Sequence, residues 1–119
     1  MLITNFLNLL NQLKIYHWQT ESYAEHKALG KAYDDLSDLV DTFVETYMGK
    51  YGKRVSTDGF NFSLHNYNPA DVDEFLRQYD EYLSTICETE LQDNDTELKN
   101  IRDDMKGVIN HTRYLLGLQ

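Results

Sequence analysis

The chain has 119 residues, enough for one domain with a real core and too few for two. Twenty acidic residues against 11 basic ones give a net charge of −9, which argues against a nucleic-acid or anionic-membrane surface, since both select for basic patches. A single cysteine, Cys87, excludes an internal disulfide and fits a reducing compartment, and no apolar run approaches a membrane span.

Residues Met1 to Leu13 are apolar but interrupted by Thr4, Asn5, Asn8, Asn11 and Gln12. They have neither the basic start nor the small-residue cleavage site of a signal peptide, so a cytoplasmic location is expected. The first predicted helix covers about residues 3–20, with Leu2, Phe6, Leu9, Leu10, Leu13 and His17 recurring at three- and four-residue spacing. The second covers about 22–50 and is expected to bury Leu29, Ala32, Leu36, Val40, Phe43 and Tyr47. Gly49 and Gly52 close it, and Lys50 and Lys53 suit the negative end of its dipole.

Residues 51–67 read as the longest irregular stretch, with a turn signal at Asp58-Gly59 and aromatics at Phe60, Phe62 and Tyr67. A connection this long in a small domain is expected to pack on the helices. A third helix begins with Asn68 as N-cap and Pro69 in the first turn, followed by Asp71, Asp73 and Glu74. Its apolar stripe is Val72, Phe75, Leu76, Tyr79, Leu83 and Ile86. After a polar break from Glu88 to Asp95, a fourth helix starts near Asp95–Thr96 and buries Leu98, Ile101, Met105, Val108, Thr112 and Leu115. Four amphipathic helices with one longer connection, between the second and third, point to an all-α, ferritin-like four-helix bundle spanning residues 1–119 as a single domain.

The second helix has more smooth surface than one bundle needs. At about 100° per residue, His26, Gly30, Ser37, Val44 and Met48 fall on an arc beside the core face, bordered by Asp34, Asp41 and Glu45. Such a second face suits contact with another subunit.

Chemistry concentrates in one pattern: His17-Trp18, then His26, then Asp41-Thr42-Phe43-Val44-Glu45. Imidazole and carboxylate together suit iron. Asp41 and Glu45 form an i, i+4 pair that can hold one cation from the same side, or can be a solvated acidic edge. His17 alone reads equally as a core histidine satisfied by one hydrogen bond. His26 and Asp41 lie roughly 22 Å apart along one helix, so the two halves meet only if a second copy lies antiparallel to the first. The remaining signals are mostly negative. The chain has no Glu-x-x-His, no Gly-rich phosphate loop, no zinc-type cysteine pair and no nucleophilic serine motif. His65 and His111 read as ordinary loop and helix residues, Cys87 as a buried small hydrophobe, and Trp18 as packing at the end of the bundle.

These residues resemble the Dps family, the mini-ferritins that oxidise and store iron. In that family a His-Trp pair ends the first helix, a second histidine opens the next, and Asp-x-x-x-Glu follows fifteen residues later. His65-Asn66-Tyr67 followed by proline resembles the family's lead into its third helix, and Asp93-Asn94-Asp95-Thr96 its lead into the fourth. The resemblance implies a metal site between two-fold-related subunits, with His17 and His26 from one chain and Asp41 and Glu45 from the other. It further implies two-fold dimers assembling into a hollow dodecamer, in which ferrous iron is oxidised by peroxide or oxygen and stored as ferric iron.

Three departures accompany the resemblance. Gly30 stands where the family usually has another carboxylate. The two histidines are only nine residues apart. The lysine-rich tail that many members use to hold DNA is not seen, so no nucleic-acid partner is expected. Gly30 also supports a second reading, a ferritin-like structural or assembly protein, possibly of viral origin, that has lost catalysis. A third is a small binding module that engages a partner through the aromatic stretch 51–67.

Overall fold

The computed structural model describes residues 2–54 and 59–118. These form four helices and no strand: α1 (Leu2–Gln19), α2 (Tyr23–Tyr51), α3 (Val72–Thr89) and α4 (Thr96–Leu116). Among the described residues, no helix is long and apolar enough to cross a membrane. The 29 residues of α2 span about 44 Å at 1.5 Å per residue, which accounts for the 44 Å long axis of the molecule.

The start of α2 is written as Ser22-x-x-Glu25, a capping-box sequence, and the Ser22 hydroxyl accepts from the Glu25 N–H at 3.2 Å. Its end is set by Gly52, not Gly49. Gly52 adopts φ 66°, and its N–H returns to the Met48 carbonyl at 2.9 Å. α3 begins three residues later than the sequence suggests. Asn68 opens a turn instead of a helix: its side-chain oxygen accepts from the Ala70 N–H and its carbonyl from the Asp71 N–H. Asp71 then becomes the residue before the first helical turn.

The core is most of the predicted stripes, joined by residues that a polarity reading leaves out; of the residues expected to be buried, Tyr47 packs at the edge of the core and Leu115 is half-buried outside it. Phe6 and Phe43, both fully buried, pack edge to face at 5.2 Å and join α1 to α2. Tyr16 is also buried, with its ring 5.7 Å from Phe75 of α3 and 6.0 Å from Tyr67. Ile109 of α4 is fully buried, whereas Ile101, Val108, Phe75 and Tyr79 pack around the edge of the core. Cys87 is half-buried, and Trp18 is 69% exposed instead of packing on the helix ends.

Cross-helix bonds fix the directions. Lys50 and Tyr51 at the end of α2 reach Asp95 at the start of α4, while Arg113 near the end of α4 holds Asp73 at the start of α3 at 2.8 Å. Tyr16 contacts Phe75 and Asn8 contacts Tyr79 at 3.2 Å, so α3 runs antiparallel to α1 and therefore parallel to α2. Before α3, residues 63–67 run beside α1 and are held there by side chains. Gln12, fully buried, uses both ends of its amide on His65, donating to the carbonyl at 2.9 Å and accepting from the N–H at 2.8 Å. Asn8 accepts from the Ser63 N–H, and Gln19 accepts from the Tyr67 N–H. This part of the irregular stretch packs on the helices, as its length predicts. Residues 55–58, including the Asp58 half of the turn signal, lie outside the described residues.

Among the described residues, Asp95 is the one carboxylate with no exposed surface. Burial opposes its ionisation, but the Gln92 N–H, the Lys50 ammonium and the Tyr51 hydroxyl outweigh that and hold its pKa at about 2. The unfolded carboxyl titrates near 3.9, so this contribution to stability is complete above about pH 4 and is lost as pH falls through about 2. Asp95→Asn is expected to lower stability by about 2 kcal/mol near neutral pH, because it removes a charge-assisted network from a buried position. Urea unfolding from about pH 7 down to pH 2 checks this, with a shallower loss below about pH 4 expected in the variant.

Candidate functional site

The turn joining α1 to α2 is three residues long and brings His17, in the last turn of α1, against His26, in the first turn of α2. The two imidazoles stack with centroids 3.8 Å apart and planes 16° from parallel. Each ring also bonds the other residue's backbone. His17 Nδ1 lies 2.7 Å from the His26 carbonyl oxygen, and His26 Nδ1 lies 2.8 Å from the His17 carbonyl oxygen. The His17 carbonyl belongs to the last turn of α1, where no helical N–H is available, so His26 supplies the missing donor.

The chemistry of this clasp follows from its acceptors. A carbonyl can only accept, so each Nδ1 carries its hydrogen, and in the neutral ring each Nε2 keeps its lone pair. A metal-binding histidine typically has this form, with its second nitrogen bonded to a backbone carbonyl. Both residues are half-buried and line one open groove together with Gly30, Lys31, Asp34 and Leu118.

Gly30 is explained by His17. A Cβ placed on Gly30 would lie 2.8 Å from Cε1 and 3.0 Å from Nδ1 of the His17 ring. The imidazole therefore lies directly on the backbone of α2, which only glycine permits. The short nine-residue separation of the histidines and the glycine are parts of one arrangement.

The carboxylates stand elsewhere. Asp41 and Glu45 are exposed on α2, and neither forms an ion pair or hydrogen bond with another described side chain. Within one chain and among the described residues, no three His, Cys, Asp or Glu side chains gather into a set able to hold a metal. The structure thus brings His17 and His26 together and leaves Asp41 and Glu45 apart from them. Asp34 and Asp35 are the carboxylates lining the histidine groove, and Asp34 is the one on the face of His26 and Gly30. Its signal in the sequence is the four-residue spacing His26, Gly30, Asp34, which puts all three on one helical face. Lys31 beside it is paired with Asp35 at 2.8 Å, a hydrogen bond that raises the lysine pKa.

Gly30→Ala adds a methyl group against the His17 ring and is expected to destabilise by about 1–2 kcal/mol, the overpacking cost exceeding the gain in helix propensity. Gly107→Ala in α4, where an added Cβ meets nothing within 4 Å, is expected to stabilise by up to about 1 kcal/mol. Thermal or urea unfolding of the two variants should therefore move in opposite directions.

The comparisons with known proteins name no activity. An uncharacterized 14.6 kDa protein in the mobD-ri intergenic region of Enterobacteria phage T4 is similar, with 27% identity over 118 residues, covering 96% of this chain and 87% of that one. No solved structure matches the chain. The profile of a family of unknown function, DUF5856, matches residues 17–116, which begins at the first histidine of the clasp and takes in all of α2, α3 and α4. The chain belongs to this family of unknown function, DUF5856.

Proposed function

We propose that this chain is a Dps-like iron-binding protein with a ferritin-like four-helix bundle and a ferroxidase site shared between subunits. The observation that carries the reading is the histidine clasp. Two imidazoles are fixed by reciprocal Nδ1 bonds in the tautomer that leaves both Nε2 atoms available to a metal. The parallel direction of α2 and α3, which requires a crossover between them, supports the ferritin-like connectivity.

In this reading ferrous iron is the substrate. His17 and His26 of one subunit bind it as neutral imidazoles, and Asp41 and Glu45 of an antiparallel partner balance its charge. Iron gives electrons to peroxide or oxygen, and no side chain acts as nucleophile or general base. The protein's contribution is to hold the donors and to neutralise the ferric product. Two-fold dimers are the smallest active unit, and a dodecameric shell is the assembly implied by the resemblance.

A second reading is favoured by Gly30. The packing of His17 on the α2 backbone makes the clasp a helix–helix joint in its own right, as a ferritin-like assembly protein without catalysis would use it. The two readings separate on the carboxylates, which contribute nothing to packing. Asp41→Ala with Glu45→Ala is expected to abolish fast ferrous oxidation, at least about a hundredfold in rate, while leaving the thermal midpoint within the small range typical of surface changes. Stopped-flow oxidation with peroxide checks this. Unchanged oxidation in the double variant would remove Asp41 and Glu45 from the site, and no oxidation by the parent protein would favour the assembly reading.

A further inference from the structure

We infer that the cleft between α3 and the segment running along α1 binds a small organic ammonium ion with an aromatic body. The site is separate from the histidine clasp and does not depend on the iron reading.

The cleft follows from how the irregular stretch is held. Residues 63–67 are pinned to α1 by Asn8, Gln12 and Gln19, and the first turns of α3 stand beside them. Between the two lies a cleft of about 480 Å³, a size that takes up a whole small molecule. One wall is aromatic. Phe75 and Tyr79, both half-buried, have ring centroids 5.0 Å apart, and Tyr16 extends the wall 5.7 Å from Phe75.

The charge of the cleft has one sign. Among the described residues no lysine or arginine lines it, His65 is its one basic group, and Asp71 and Glu74 are its carboxylates. Glu74 gives both oxygens to Arg77, at 2.6 and 2.8 Å. Asp71 neither caps α3 with its side chain nor joins an ion pair with any described residue.

A free carboxylate at the start of a helix is ordinary by itself, because the dipole favours it there. Tyr16 is what makes it part of a site. The residue is 2% exposed, yet its hydroxyl bonds no described residue and is not among the fully enclosed unpaired atoms, so it opens on the cleft it lines. A phenylalanine would fill the same space, and a buried hydroxyl left without a partner is costly. Burial raises the Tyr16 pKa and the Asp71 charge raises it further, which puts the carboxylate within electrostatic reach of the phenol.

A free negative charge and a phenol oxygen beside an aromatic wall match an ammonium group. It donates up to three hydrogen bonds, is drawn to the carboxylate and to ring faces, and leaves an aryl body to cover Phe75 and Tyr79. A phosphate or carboxylate ligand would meet Asp71 with no lysine or arginine to offset it.

The test is titration of the full chain with phenethylammonium, followed by calorimetry and amide NMR at about pH 8, where imidazole is ordinarily neutral and a primary amine still protonated. Saturable binding is expected, with shifts centred on Asp71, Phe75 and Tyr79. Butylammonium, which lacks the ring, should bind more weakly, and the anion 3-phenylpropionate should not bind. Asp71→Asn, which keeps a good helix-start residue, should weaken binding about tenfold or more. Tyr16→Phe should weaken it about threefold or more without lowering the thermal midpoint, since no bond within the chain is lost. No saturation by phenethylammonium at millimolar concentration, equal binding of 3-phenylpropionate, or wild-type affinity in Asp71→Asn would each overturn the site.

Discussion

The reciprocal bond between His17 and His26 is the constraint to which the rest of the site answers. Two backbone carbonyls and two ring nitrogens exchange hydrogen bonds across a turn of three residues, with the rings in van der Waals contact. The geometry needs a short turn, a helix C-terminus with a carbonyl to spare, and no side chain on Gly30. Each demand is met by a neighbouring element, so the clasp fixes where α2 leaves α1. Along the 29 residues of α2, that starting point determines which residues face the core and which lie beside it.

Polar side chains take up backbone bonding wherever regular structure stops. Gln12 meets the main chain of His65 with both ends of its amide, Asp95 gathers the Gln92 N–H at the entry to α4, and His26 caps α1. Each replaces a hydrogen bond that a helix end or an irregular segment would otherwise leave unmade in a partly buried place. The acidic balance of the chain has the same logic in part. Asp73, Asp80 and Asp95 tie helices together through Arg113, Lys106 and Lys50, whereas Asp41 and Glu45 are engaged in no such work.

Much of the fold is legible in the sequence because amphipathic periodicity is a local property. The stripes Leu29, Leu36, Phe43 and Leu76, Leu83, Ile86 are all buried, and the limits of α2 fall within a residue of those expected. What is not legible depends on contacts distant in sequence. Gln12 and Tyr16 are polar or amphipathic by type and are buried only because residues 63–67 and α3 come to lie on them. Asn68 has the composition of an N-cap, but its side chain is satisfied two residues on, so the helix opens after Asp71. Trp18 reads as a packing residue by hydrophobicity but is exposed at the end of α1. For the candidate site, the histidines are recognisable as a pair by spacing, but Gly30 reads as a missing ligand when its structural role is to make room for a ring.

The central claim is that His17 and His26 are held in the form that offers both Nε2 atoms to ferrous iron. Long-range proton–nitrogen NMR of the four imidazoles, recorded before and after anaerobic addition of ferrous iron, tests it most directly. His17 and His26 are both expected as Nδ1–H tautomers in the metal-free protein. Iron is expected to broaden these two selectively, leaving His65 and His111 sharp. An Nε2–H tautomer at either position, or four imidazole signals indifferent to iron, would contradict it.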